Sequence, residues 1–173
     1  MPPRNDNDTN QYLTFGLDGE VFALAIAQVR EVLELSTITR IPRTPPFMRG
    51  VINLRGHAVP VVDMRRKFGM SRADDTVNTC IIIVETTCAG EPHILGALVD
   101  SVREVVELPP SAIEPAPRMG TTVRAESILG IGKRDEEFII VLDIGRVFSE
   151  QEMDLLAARD GEGQQVREQA PAA

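Results

Sequence analysis

The chain has 173 residues, of which 43% are hydrophobic, 25% charged and only 4% aromatic, which suits one globular domain or two small units sharing a core of Val, Ile and Leu. A net charge of −8 speaks against a nucleic-acid binder, whose affinity comes mostly from neutralised phosphates. No apolar run approaches the roughly 20 residues of a membrane span, and the polar opening "MPPRNDNDTN" lacks the apolar centre of a signal peptide, so a cytoplasmic protein without membrane insertion is expected.

Residues 1–11 carry no periodicity and are expected to be disordered. The chain then reads "YLTFGL", "DG" and "EVFALAI". Asp18-Gly19 between two apolar runs predicts a β-hairpin, since both turn positions favour positive φ. Leu13, Phe15 and Leu17 alternate onto one sheet face. "VREVLEL" from Val29 and "HAVPVVD" from His57 read as further strands, and Pro60, with no amide to donate, predicts an edge or a bulge. "MRRKFG", Met64 to Gly69, predicts a helical turn closed by its glycine. "CIIIVET" and "HILGALV" predict a second hairpin around a loop at Thr87 to Pro92. After "VREVVEL" and "FIIVLDI" a short helix is expected over 150–158. Ser149 is its N-cap, Glu152 completes a capping box, and Met153, Leu156 and Ala157 face inward. The tail, 159–173, lacks the apolar groups that offset ordering entropy and is expected to be disordered.

Part of this pattern is written twice. "VREVLEL" at Val29–Leu35 matches "VREVVEL" at Val102–Leu108 in six of seven positions, at an offset of 73. Gly50, Val61, Asp63, Arg66 and Phe68 recur as Gly130, Val141, Asp143, Arg146 and Phe148, at an offset of 80. The connections between the matched blocks, residues 36–49 and 109–129, differ by those seven residues. Two blocks in one order mark two related halves. Four or five short strands per half suffice to close a small barrel. The predicted fold is therefore mainly β: two barrels, about 12–75 and about 76–150, in a single domain over 12–158.

Candidate chemistry does not assemble. His57 and Asp63 stand six positions apart on one predicted strand, about 20 Å when extended and too far for an acid–base pair. His93 has no ligand-like neighbour at metal spacing, and Cys80 and Cys88 match no zinc or redox spacing, so reduced thiols are expected. "LGIGKR" fails as a phosphate loop because Ser127 and Arg134 stand where glycine and Ser or Thr are required. Asp63 and Asp143 recur with their strands, which fits carboxylates capping the next turn. No catalytic residue, metal or cofactor is expected. Arg55 is different. It precedes Gly56 in a tight turn, points outward, and aligns with Asp135 in the second half, so the repeat does not demand arginine there.

"GVINLRGHAVPVVDMRRKFG", with "IAQVREVLELSTITRIPRTPPFMRG" and "SAIEPAP", resembles the CheW family of bacterial chemotaxis coupling proteins, over about Tyr12 to Leu156. The resemblance implies two intertwined, SH3-like five-stranded β-barrels around a shared core. It also implies a non-enzymatic adaptor that links the cytoplasmic tips of chemoreceptors to the regulatory domain of the histidine kinase CheA, in membrane-associated arrays. The family's charged pair falls on Glu31 and Arg55. Its receptor groove falls on Val29, Gly50, Cys80 and Ile81, and a second kinase-facing contact on Glu114 and Met119, where relatives often carry arginine and phenylalanine. A helical hairpin laid in an apolar groove with a charged rim is a recurring recognition mode.

Rival readings differ in what they require. A CheV-type protein or the kinase's own regulatory domain shares the fold, but a CheV-type chain would continue into a receiver domain. A small β-barrel hydrolase would need convergent acid–base groups. A nucleic-acid barrel would need stacking aromatics on a basic face, whereas Tyr12 and six phenylalanines are expected to be mostly core.

Overall fold

The computed structural model describes residues 10–71, 73–88, 90–116 and 125–156. Expectations for residues 1–9, Ala157 and the tail 159–173 lie outside them. The strands are β1 (Gln11–Leu17), β2 (Glu20–Ala25), β3 (Val29–Glu34), β4 (Met48–Leu54), β5 (His57–Asp63), β6 (Cys80–Cys88), β7 (Glu91–Val99), β8 (Ser101–Glu107), β9 (Ile113–Glu114), β10 (Ile128–Arg134) and β11 (Glu137–Leu142). Helix is confined to α1 (Met64–Lys67), α2 (Ile144–Val147), α3 at residues 150–156 and short 3-10 turns. No helix among the described residues is long and apolar enough to cross a membrane.

The two sheets run β8-β1-β2-β11-β10-β9 and β3-β6-β7-β5-β4. Each takes a hairpin from one half of the sequence repeat and the remaining strands from the other: β1–β2 joins β8 to β11, and β6–β7 joins β3 to β5. The parallel pairings are equivalent, with Val141 beside Ala23 and Val61 beside Gly96. This exchange is what intertwines the halves. The boundary near residue 75 divides the repeats but not the sheets.

Three differences from the sequence reading have local causes. One sheet has a sixth strand, because the two-residue β9 bonds to β10 at Glu114–Ile131. The loop expected at Thr87 to Pro92 is mostly strand, with Thr87 paired to Pro92 and Cys88 to Glu91, since Pro92 sits where its missing amide interrupts little. Gln11, placed in a disordered terminus, already pairs with Glu107.

Strand alternation makes three cores. Ile82 and Val84 of β6 join Phe15, Phe22 and Leu142 in the largest cluster, between the sheets. Ile81 and Ile83 turn the other way, into a cluster with Val61 and Leu98. Val21, Ala23, Ile139 and Val141 form the equivalent cluster of the other sheet. Strands buried on both faces read as unbroken apolar runs, which is why "IIIV" of β6 and "IIVL" of β11 do not alternate. Leu33 on β3 and Ile52 on β4 share one cluster although their strands lie at opposite edges of the sheet, so the sheet curls around that interior.

The repeated glycines serve this closure. Gly50 has φ 149°, and a Cβ there would overlap the Thr39 carbonyl oxygen; at Gly130 it would lie 2.6 Å from the Glu114 carbonyl oxygen. Each glycine lets the chain that follows the V-R-E-V strand cross tightly, through the Thr39–Val51 bridge and through β9. Pro60 lies just outside the residues of β5 that ladder to β7, in a stretch joined to β4 alone, as an edge-type proline should.

The Asp caps form as their spacing predicts. Asp63 Oδ1 accepts the amides of Arg65 and Arg66, and Asp143 Oδ1 that of Gly145. The capping box also forms, with Ser149 N to Glu152 Oε1 at 2.9 Å and Glu152 N to Ser149 Oγ at 3.1 Å, and it seats Met153 and Leu156 in the core. Lys67 Nζ meets Glu152 at 3.2 Å while lying over the rings of Phe47 and Phe148, which ties α3 to α1. Arg65 grips both oxygens of Asp100, at 2.7 and 2.6 Å. Asp100 also accepts the Asp18 amide at 2.9 Å, so one carboxylate links α1, the β7–β8 junction and the β1–β2 turn.

Candidate partner-binding surface

The β4–β5 hairpin ends in Arg55 and Gly56, with φ 50° and 85°. Asn53 Oδ1 accepts the Gly56 amide at 2.8 Å and fixes the turn. A left-handed conformation costs a residue with a side chain about 1 kcal/mol, and asparagine, aspartate or glycine fits it better. Arginine is thus not the residue that the turn geometry itself favours. Its Nη2 donates to Glu31 Oε2 at 2.9 Å, with the guanidinium side chain 72% exposed and the carboxylate side chain 27%. Beside it, Arg30 pairs with Glu85 at 2.7 Å.

This pair spans the seam between β3 and the β4–β5 hairpin. The other barrel has an equivalent seam, where Arg134 Nη1 meets Glu104 at 3.2 Å and Arg103 meets Glu137 at 2.9 Å. Glu104 is the repeat partner of Glu31, but its cation comes from one position before the aligned Asp135. A seam arginine is thus common to both halves, and what sets Arg55 apart is its place at the tip of the turn. Sequence alignment alone concealed this equivalence.

The other expected site residues separate by burial. Val29 is half-buried and packs on the core between the sheets. Cys80, at the far end of the β3–β6 ladder opposite Glu34, is also half-buried against that core, and its Sγ donates to the Asn78 carbonyl at 3.2 Å. Gly50 and Ile81 are buried and present no surface; Ile81 points into the barrel interior beside Gly96. Glu114 is exposed on β9, and Met119 lies outside the described residues. Among the described site residues, Glu31 and Arg55 are joined by an ion pair.

Val32, unnamed by the sequence reading, is 41% exposed. It pairs with Ile82, so it faces the same side as Val29 and extends that apolar strip along an edge strand. Its repeat partner Val105 is exposed in the same way. The signal was there in "VREVLEL", where an apolar residue sits on both faces of an edge strand. Of the six phenylalanines, expected to be mostly core, Phe138 is 64% exposed near the tip of the β10–β11 hairpin.

The chemistry-bearing residues remain apart. His57 and Asp63 end the same strand, Asp143 caps α2, and His93 pairs with Thr86 within the β6–β7 ladder. Both cysteines are free thiols. Among the described residues no three His, Cys, Asp or Glu side chains gather closely enough to hold a metal ion.

The model of a family described as the CheW-like domain matches residues 11–152. The chemotaxis protein CheW of Klebsiella aerogenes is 35% identical over 146 residues, 84% of this chain and 86% of that protein. The CheW of Treponema pallidum is 26% identical over 162 residues, 91% and 92% of the two chains. The crystal structure of the scaffolding protein TtCheW from Thermoanaerobacter tengcongensis superposes with a TM-score of 0.75 at 34% identity, covering 88% of this chain and 96% of that one.

Proposed function

From the chain's membership of the CheW family, a family of non-enzymatic chemotaxis coupling adaptors, we propose that it couples the cytoplasmic tips of chemoreceptors to the regulatory domain of the histidine kinase CheA. The observation that carries this reading is the Glu31–Arg55 pair on the edge strand β3, whose other face carries Val29 and the exposed Val32: charge and apolar surface on one sheet edge. An amphipathic helical hairpin fits such a surface, its apolar face on the valines and its polar flank against the ion pair. The exposed guanidinium sets register and partner choice more than raw affinity. Recruitment to membrane-associated arrays follows from the receptor contact. The surface near Glu114 is the proposed second kinase contact. Gly50 and Ile81 support the surface from beneath. The test is capture of a purified receptor cytoplasmic fragment, and separately of the CheA regulatory domain, by the immobilised full chain. Retention of both is expected; retention of neither would overturn the proposal.

A further inference from the structure

Most arginines among the described residues are matched with acids. Arg30, Arg49, Arg55, Arg65, Arg103, Arg134 and Arg146 each stand within 4 Å of a carboxylate. Arg40 and Arg66 have no such partner among the described residues, and both line one cleft of about 490 Å³. The cleft lies between the connection from β3 to β4 and the turn of α1. Its volume is within the range of small-molecule sites. In a chain of net charge −8, two unmatched guanidiniums on one concavity are a local reversal of sign.

The cleft is built rather than loose. Pro42, Pro45 and Pro46 line it and restrict the connecting segment. That segment is tied down by Thr44 Oγ1 to the Ile41 carbonyl at 3.2 Å, Met48 N to the Pro45 carbonyl at 2.9 Å, and Asp63 N to the Phe47 carbonyl at 2.7 Å. Arg49, at its floor, is fixed by Asp75 at 2.6 Å. The one carboxylate in the lining, Asp63, directs Oδ1 to the amides of its own helical turn.

We propose that this cleft binds a small molecule through a phosphoryl group, held by Arg40 from the loop and Arg66 from α1. Planar guanidinium forks match phosphate oxygens two at a time, and a phosphate monoester carries about −1.5 to −2 charges at neutral pH, which answers two unmatched cations. Concave walls of fixed proline favour a compact ligand over a broad macromolecular face.

The test is a titration of the full chain with inorganic pyrophosphate, read by backbone amide NMR shifts against a sodium chloride series of equal ionic strength. Saturable shifts confined to residues of the cleft are expected, with affinity at least tenfold weaker in the Arg40→Gln, Arg66→Gln double variant. Both side chains are solvent-exposed, and a thermal melt checks that the variant stays folded. The proposal is overturned if shifts are absent, if chloride reproduces them, or if the double variant binds unchanged. Shifts produced by a short glutamate peptide but not by pyrophosphate would overturn it in favour of an acidic protein segment.

Discussion

Arg55 reaches Glu31 across the seam of one barrel at 2.9 Å. The same seam in the other barrel is crossed by Arg134 and Glu104 at 3.2 Å. An exposed pair of this kind contributes about 0.2–1 kcal/mol to stability, so the fold does not depend on it. The charge swap Glu31→Arg with Arg55→Glu should restore the intramolecular attraction and melt within about 0.5 kcal/mol of wild type. It should not restore partner binding, because the partner would meet reversed charges. A swap that binds normally would show that only the internal pair matters.

Gly50→Ala should destabilise the chain by about 2 kcal/mol or more, since a Cβ meets a backbone carbonyl at a φ reserved for glycine. Gly56→Ala, also at positive φ but with open space around it, should cost about 1 kcal/mol. Chemical denaturation of the two variants gives the comparison; equal losses would contradict the crowding assigned to Gly50.

Acid should loosen the interlock around Asp100. Burial pushes that carboxyl upward, but the Arg65 hydrogen bonds, the Asp18 amide and the Arg65 charge outweigh it and hold the pKa below its ordinary value. For Glu152 burial is likewise outweighed, by hydrogen bonds with Ser149 and Lys67 and by the Lys67 charge. A carboxyl with a depressed native pKa contributes stability that is present above its unfolded value, near pH 4, and is lost as pH falls through the native one. Urea midpoints should therefore fall from about pH 4 downward, and Asp100→Asn should flatten that slope while lowering the plateau above it. An unchanged slope in Asp100→Asn would remove the assignment.

Ser149→Ala should cost about 1 kcal/mol by leaving the Glu152 amide without its hydroxyl partner. Amide exchange should accelerate over 150–156 more than in the β6–β7 ladder. Uniform acceleration would mean that the helix is not a separate unit.

Much of the fold was legible because turns and caps are local. Asp18-Gly19, the Asp63 and Asp143 caps and the Ser149–Glu152 box each depend on residues within three positions. The repeat announced two halves, but not by itself which hairpin pairs with which strand, because sheet partners are chosen by long-range packing. Glu31 and Arg55 stood out through the family resemblance and the unusual turn. Val32 stayed hidden because edge exposure is a property of the assembled sheet. The Glu104–Arg134 seam stayed hidden because its arginine is displaced by one position.

The most direct test is co-sedimentation of CheA with receptor cytoplasmic fragments, with and without this chain. Wild type should carry the kinase into the pellet, and its omission should leave the kinase in solution. Arg55→Glu should keep the wild-type melt yet weaken assembly about tenfold, as expected for the loss of about 1–2 kcal/mol from a partly desolvated rim charge. Kinase that sediments equally well without the chain, or with Arg55→Glu in its place, would contradict the adaptor surface assigned to Glu31 and Arg55.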